Sequence, residues 1–223
     1  MPAGFKVPRQ LFTSFGALLG LAALALQLYL FLDTATAQGR TVPGVIVQFF
    51  SYFTILSNSL AVLCYLAPGG RGFFGRPGVQ SAVALYIAVV GLVYALVLER
   101  LWSPTGLQFA VDAALHYAAP VLYLGYWLLF VDKAGLRLAR VPLWLVFPVA
   151  YCGYALLRGA FTGIYPYPFL EAGTLGYARV AGNVAMLVAL FLVFGLVLAA
   201  LGRGLARRRG RFTPGTVRPI TRA

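Results

Sequence analysis

An all-α membrane protein, a polytopic bundle of six transmembrane helices with both termini cytoplasmic, is what this sequence predicts. Three observations lead there. Hydrophobic residues fill 61% of the 223 positions and charged residues 10%, against roughly 25% charged in a soluble domain, and the mean hydropathy is +0.85. Six apolar segments each reach the length of about 20 residues that crosses a bilayer. Short polar or Gly/Pro-rich turns, such as Pro68-Gly69-Gly70-Arg71-Gly72, join them and leave no length for a soluble domain. Residues 1–202 therefore form one membrane domain, and 203–223 a basic, disordered cytoplasmic tail.

The segments run Leu11 to Leu32, Val45 to Ala67, Val79 to Leu98, Leu107 to Val131, Val141 to Phe161 and Ala178 to Leu201. The first, with Lys6 and Arg9 before it and Ala35-Thr36-Ala37 after it, also has the outline of a secretory signal with its cleavage site. Its apolar run exceeds the roughly 7 to 15 residues of a signal core, so it reads as a retained helix; cleavage would leave five spans. The second carries Ser51, Thr54, Ser57 and Asn58 at spacings of three or four, a polar stripe turned into the bundle. Taken singly, each of these residues has a plain structural use, as a hydroxyl bonded back one turn or an amide joining helices.

The fourth segment holds Asp112 and His116, the only histidine, where ionisable groups are costly and therefore point to function. At i and i+4 they share a helix face, so the carboxylate can hold one ring nitrogen and leave the other free. Pro120 has no N–H for the carbonyl of His116 and loosens the helix beside the ring. The loop from Arg158 to Tyr177 places Tyr165, Pro166, Tyr167, Pro168 and Phe169 in a stiff aromatic run, either a lid over the site or an aromatic belt at the interface. Glu171 is placed to cap the next stretch or to reach Arg179.

The net charge of +13 is an orientation signal. Of 18 Lys and Arg, only Arg40, Arg100, Arg158 and Arg179 fall on the side opposite the termini. The positive-inside rule then sets both termini in the cytoplasm and the basic tail on anionic lipid headgroups. No nucleic-acid-binding module accompanies the charge. Cys64 and Cys152 show no CxxC spacing and read as small packing residues, and one histidine with two separated cysteines supports neither zinc nor haem. No cofactor is expected.

Depth connects the two polar segments. Thr54 lies nine residues in from Val45 and His116 nine in from Leu107, about 13 Å below each start at 1.5 Å per residue. Both segments enter from the outer face, so hydroxyl and imidazole share a level. A hydroxyl beside an imidazole held by a carboxylate is the arrangement for nucleophilic acyl transfer, with Asn58 one turn away as the oxyanion donor and Ser57 as the reserve nucleophile.

In three motifs the chain resembles the androgen-induced, androgen-dependent TFPI-regulating family of six-span membrane proteins, in its bacterial branch. These are Phe53-Thr54, His116 with Pro120, and the more specific Tyr167-Pro168-Phe169-Leu170-Glu171. The resemblance runs from the second span onward. It implies hydrolysis of fatty acid esters of hydroxy fatty acids by an intramembrane threonine, Thr54, and a histidine, His116. Asp112 departs from the pattern, because animal members carry a neutral polar residue at the matching position; the carboxylate either sharpens the base or marks another task.

The expected function is hydrolysis of a lipid-like ester, with Thr54, His116, Asp112 and Asn58 catalytic and Ser57, Tyr167, Phe169 and Glu171 at the substrate. A transporter or lipid-binding protein with an Asp112–His116 proton relay is the alternative. The lack of an inverted repeat counts against it.

Overall fold

The computed structural model describes residues 8–67 and 72–211, and all regular secondary structure within them is helical. Ten α-helices follow in order: α1 (Arg9–Ala37), α2 (Val42–Phe49), α3 (Phe53–Leu66), α4 (Pro77–Val93), α5 (Gly106–Ala113), α6 (Ala119–Phe130), α7 (Val141–Trp144), α8 (Val146–Thr162), α9 (Ala172–Leu175) and α10 (Tyr177–Arg211). α4 continues to Leu101, α5 and α6 join into one rod over Gly106–Phe130, and α7 with α8 lies within Leu138–Thr162. Together with α1 and α10 these give five helices long and apolar enough to cross a membrane. α2 and α3 supply a sixth when taken as one broken span.

That break is the main departure from the sequence expectation of one helix over Val45 to Ala67. α2 and α3 meet at 73° across Phe50–Tyr52, although no Pro or Gly stands there. At the bend the Ser51 and Tyr52 N–H groups bond locally to the Gln48 and Phe49 carbonyls, and the Ser51 peptide carbonyl finds its partner on α8. Tyr151 OH donates to the Ser51 carbonyl at 2.9 Å, and the Ser51 hydroxyl bonds both the Val47 carbonyl at 2.6 Å and Tyr154 OH at 2.8 Å. A backbone bend inside hydrocarbon is tolerable only where such partners exist.

Two further irregularities follow from proline. Pro148 has no N–H for the Trp144 carbonyl, the chain breaks between α7 and α8 at Leu145, and Tyr86 OH on α4 takes that carbonyl at 2.7 Å. Pro120 likewise leaves the His116 carbonyl without its helical N–H. Here the helix does not break: it widens into a π-turn over Ala114–Ala118, one of two in the fold, the other at Tyr94–Leu98 on the end of α4. Wide turns of this kind frequently mark functional positions.

α1 packs along α3 as a member of the bundle. A Cβ at Gly16 would lie 2.6 Å from Cζ of Tyr65, and that ring cannot yield, since Tyr123 and Tyr126 hold it edge-on at centroid distances of 5.3 and 5.2 Å. Close approach of helices through small residues is how bundles associate in lipid. Gly16→Val is therefore expected to cost about 1–3 kcal/mol through overpacking, read as a lowered melting temperature in detergent; an unchanged melt would mean that α1 is loosely attached.

The core centres on Tyr123, Tyr126 and Trp127 of α6. Lys133 closes the end of that helix by donating to the carbonyls of Trp127, Leu128 and Val131. Cys64 and Cys152 are separate, buried free thiols. The long final helix carries through Arg203 to Arg211, into what the sequence marked as tail; that part of the expected disordered segment is helical, and the rest of it lies outside the described residues.

Candidate functional site

The bend before α3 sets Thr54 in the first turn of a helix, in the same way that sharp turns expose nucleophiles elsewhere. Its side chain faces the π-turn of the fourth span, and Thr54 Oγ1 lies 3.3 Å from His116 Nε2. On the other side of the ring, His116 Nδ1 lies 3.2 Å from Asp112 Oδ1 and 3.0 Å from the Asp112 main-chain carbonyl. Two acceptors at Nδ1 fix the proton there, which leaves Nε2 as the acceptor for the threonine hydroxyl. Thr54 is 7% exposed and Asp112 5%, so these interactions are shielded from bulk water. Gly91 permits the approach: a Cβ there would meet the main-chain oxygen of His116 at 3.0 Å.

The second π-turn brings in a residue that sequence reasoning missed. Tyr94 OH donates to Asp112 Oδ2, and the Tyr94 ring stacks on the imidazole with centroids 3.9 Å apart and planes 14° from parallel. The carboxylate is thus held from one oxygen while its other oxygen faces the histidine. The depth count did not give it away. From the span end read in the sequence, Leu98, Tyr94 lies only four residues in; the continuation of the helix to Leu101 is what brings it seven residues in, within one helical turn of the level of His116.

The aromatic loop reaches Thr54 directly. Tyr167 OH accepts the Thr54 backbone N–H at 3.3 Å and lies 3.4 Å from Thr54 Oγ1. Burial pushes the Tyr167 phenol up, partly offset by its hydrogen bonds from Thr54, so it is a neutral hydroxyl that can both accept and donate. Phe169 stacks on Tyr167 with planes 5° apart, and Asn183 of α10 ties the Phe169 carbonyl at 2.8 Å.

Three expected roles need correction. Both hydrogens of the Asn58 amide are used, on the Thr54 carbonyl at 2.9 Å and the Leu115 carbonyl at 3.3 Å, so Asn58 joins α3 to the π-turn and has no N–H left for an oxyanion. Ser57 is fully buried, with no hydrogen-bond partner among the described residues, the imidazole included. Glu171 occupies the N-cap position of α9 but makes no side-chain cap bond. It also makes no ion pair with Arg179: the one acid–base pair among the described residues is Asp112–His116.

Thr54, Tyr167 and Phe169 line an apolar cavity of about 50 Å³ that continues between α4, α8 and α10 along Val90, Tyr151 and Phe191. Such a slot admits a narrow, unbranched apolar group beside the hydroxyl. The fold and site define a helical membrane protein with a buried Thr–His–Asp constellation. No family model matches the chain, and no curated protein or solved structure does either.

Proposed function

We propose that the protein is an intramembrane hydrolase of lipid-like esters with Thr54 as nucleophile. The observation that carries this reading is the unbroken line from Thr54 Oγ1 through the His116 ring to Asp112, with an apolar cavity at the hydroxyl end. In the first step Thr54 Oγ1 bonds to the ester carbonyl carbon while its proton moves to His116 Nε2. The oxyanion is met by the Thr54 backbone N–H and the Tyr167 hydroxyl, the two donors beside Thr54 Oγ1, once the hydrogen bond between them opens. Collapse breaks the bond to the alcohol oxygen, which takes the proton from His116 and leaves. Water then attacks the acyl-threonine, His116 accepts a water proton and returns it to Thr54 Oγ1, and the fatty acid departs. Asp112 stabilises the imidazolium in both halves, and Tyr94 holds Asp112.

Because Tyr167 OH sits on the Thr54 N–H in the resting protein, the carbonyl oxygen of a substrate enters by displacing it, which makes the aromatic loop a lid. The direct experiment is labelling with a fluorophosphonate followed by peptide mapping. Phosphonylation of the peptide carrying Thr54 supports the hydrolase. If neither labelling nor ester cleavage depends on Thr54, the Asp112–His116 pair is a proton relay instead.

The charge asymmetry supports an orientation with both termini in the cytoplasm and the lid outside, and the resemblance to the bacterial branch of the family supports a bacterial inner membrane. A cysteine introduced at Gly163 is then expected to react with a membrane-impermeant maleimide on intact cells, and one at Gly135 only after lysis. The reverse pattern would invert the topology.

A further inference from the structure

A second concavity, of about 890 Å³, opens between the start of α4 and the connection from α6 to α8. None of Thr54, Tyr94, Asp112, His116 or Tyr167 lines it. The Tyr86 and Phe147 rings, 5.1 Å apart, close its inner end, and Phe147 in turn packs 5.5 Å from Phe53 of the reactive cavity. Its walls are apolar, among them Val79, Val83, Leu143 and Phe147, and its size falls in the roughly 300–1,000 Å³ range of ligand pockets. Leu143 and Val146 on its edge are 67% and 63% exposed, so the opening is continuous with the lipid-facing surface.

The rim has the opposite character. Arg76 stands on the α4 side, and Arg137 and Arg140 on the other. None of the three pairs with a carboxylate within the described residues. The one acid at the rim, Asp132, accepts the Ala134 N–H. Arg137 also borders a neighbouring concavity that holds Arg203 and Arg207. Three guanidiniums against the Asp132 carboxylate leave the mouth of the apolar groove with an excess of positive charge, which a bound anion would relieve. The ligand that satisfies both parts carries a phosphate on an aliphatic chain, since guanidinium forks match phosphate oxygens and the groove takes the chain.

We infer that this groove binds an anionic phospholipid of the surrounding leaflet, its phosphate between Arg76, Arg137 and Arg140 and one acyl chain along Val79, Val83, Leu143 and Phe147. The site is separate from the ester chemistry and stands whether or not Thr54 is a nucleophile.

The test is native mass spectrometry of the full chain in uncharged detergent with equal amounts of dioleoyl phosphatidylglycerol and dioleoyl phosphatidylcholine. The wild type and Thr54→Ala should both retain phosphatidylglycerol at least about tenfold over phosphatidylcholine, the effect of one charge-assisted contact. Arg137→Gln with Arg140→Gln should remove the preference. Arg158→Gln with Arg179→Gln, an equal loss of charge elsewhere, should keep it. Gly78→Phe should lower retention of both lipids severalfold, because a side chain at Gly78 meets open groove and no existing atom. The inference is overturned if the wild type shows no preference, if the two double variants behave alike, if Gly78→Phe changes nothing, or if millimolar inorganic phosphate displaces the lipid. Thermal melts matching the wild type confirm that each variant is folded.

Discussion

Thr54→Ala is expected to abolish both fluorophosphonate labelling and ester hydrolysis, a loss of at least about 10⁴-fold in kcat, while the bundle stays folded in the membrane. Removing the nucleophile deletes the acyl-enzyme route altogether. The structural cost is small by comparison: Thr54 Oγ1 gives up its hydrogen bonds with His116 and Tyr167, and the amide of Asn58 holds the Thr54 carbonyl, which the substitution keeps. Ser57→Ala is the matched control. It removes a buried hydroxyl with no partner, so activity should be unchanged and stability equal or slightly higher. Thr54→Ser keeps the hydroxyl and loses the methyl that restricts its torsion, so labelling should survive at a reduced rate. Full activity in both Thr54→Ala and His116→Ala would end the hydrolase proposal.

Asp112→Asn should lower kcat about 100-fold with little change in KM. An amide keeps an oxygen for the His116 Nδ1–H and turns its NH₂ toward Tyr94 OH, which can accept. What is lost is the charge that stabilises imidazolium. Misplacing the imidazole proton in a triad costs about 10⁴-fold, but here the Asp112 main-chain carbonyl at 3.0 Å also accepts from Nδ1 and survives the substitution. The expected loss therefore stays at the smaller value. A loss near 10⁴-fold would show that the carboxylate alone sets the tautomer, and an unchanged kcat would assign Asp112 to packing.

Much of this site could be read from the chain. Apolar run lengths located the five long helices, and counting residues inward from two segment starts paired Thr54 with His116, whose side chains do meet; the count assumed a straight second segment, so the depth it gave Thr54 does not survive the 73° bend. Pro120 announced the loosened helix at the imidazole. The bend over Phe50–Tyr52 was not legible, because no Pro or Gly marks it and its partners, Tyr151 and Tyr154, lie about 100 positions away in the chain. Asn58 was misassigned for the same reason: spacing places an amide on a face, but only tertiary packing shows that carbonyls of two helices already occupy its hydrogens. Tyr94 went unnoticed among 13 tyrosines, since nothing local separates a ring that stacks on an imidazole from one that fills space. Glu171 failed as a cap although it stands at the right position, because position alone does not direct a side chain to the backbone.

The break between α2 and α3 also creates an electrical feature. A helix that begins at depth brings the positive end of its dipole with it, about half an elementary charge at the first turn, and α3 begins one residue before Thr54. This fixed potential arises without any cation and costs nothing to reorganise as a reaction proceeds. It favours a group that arrives neutral and becomes negative, as an ester carbonyl does. A ligand that arrives fully charged must first shed its water, at several kcal/mol, and then sits near the Asp112 carboxylate. Under the proposed hydrolysis, the bend assists the step in which the ester carbonyl becomes an oxyanion, and release of the product carboxylate works against the same potential.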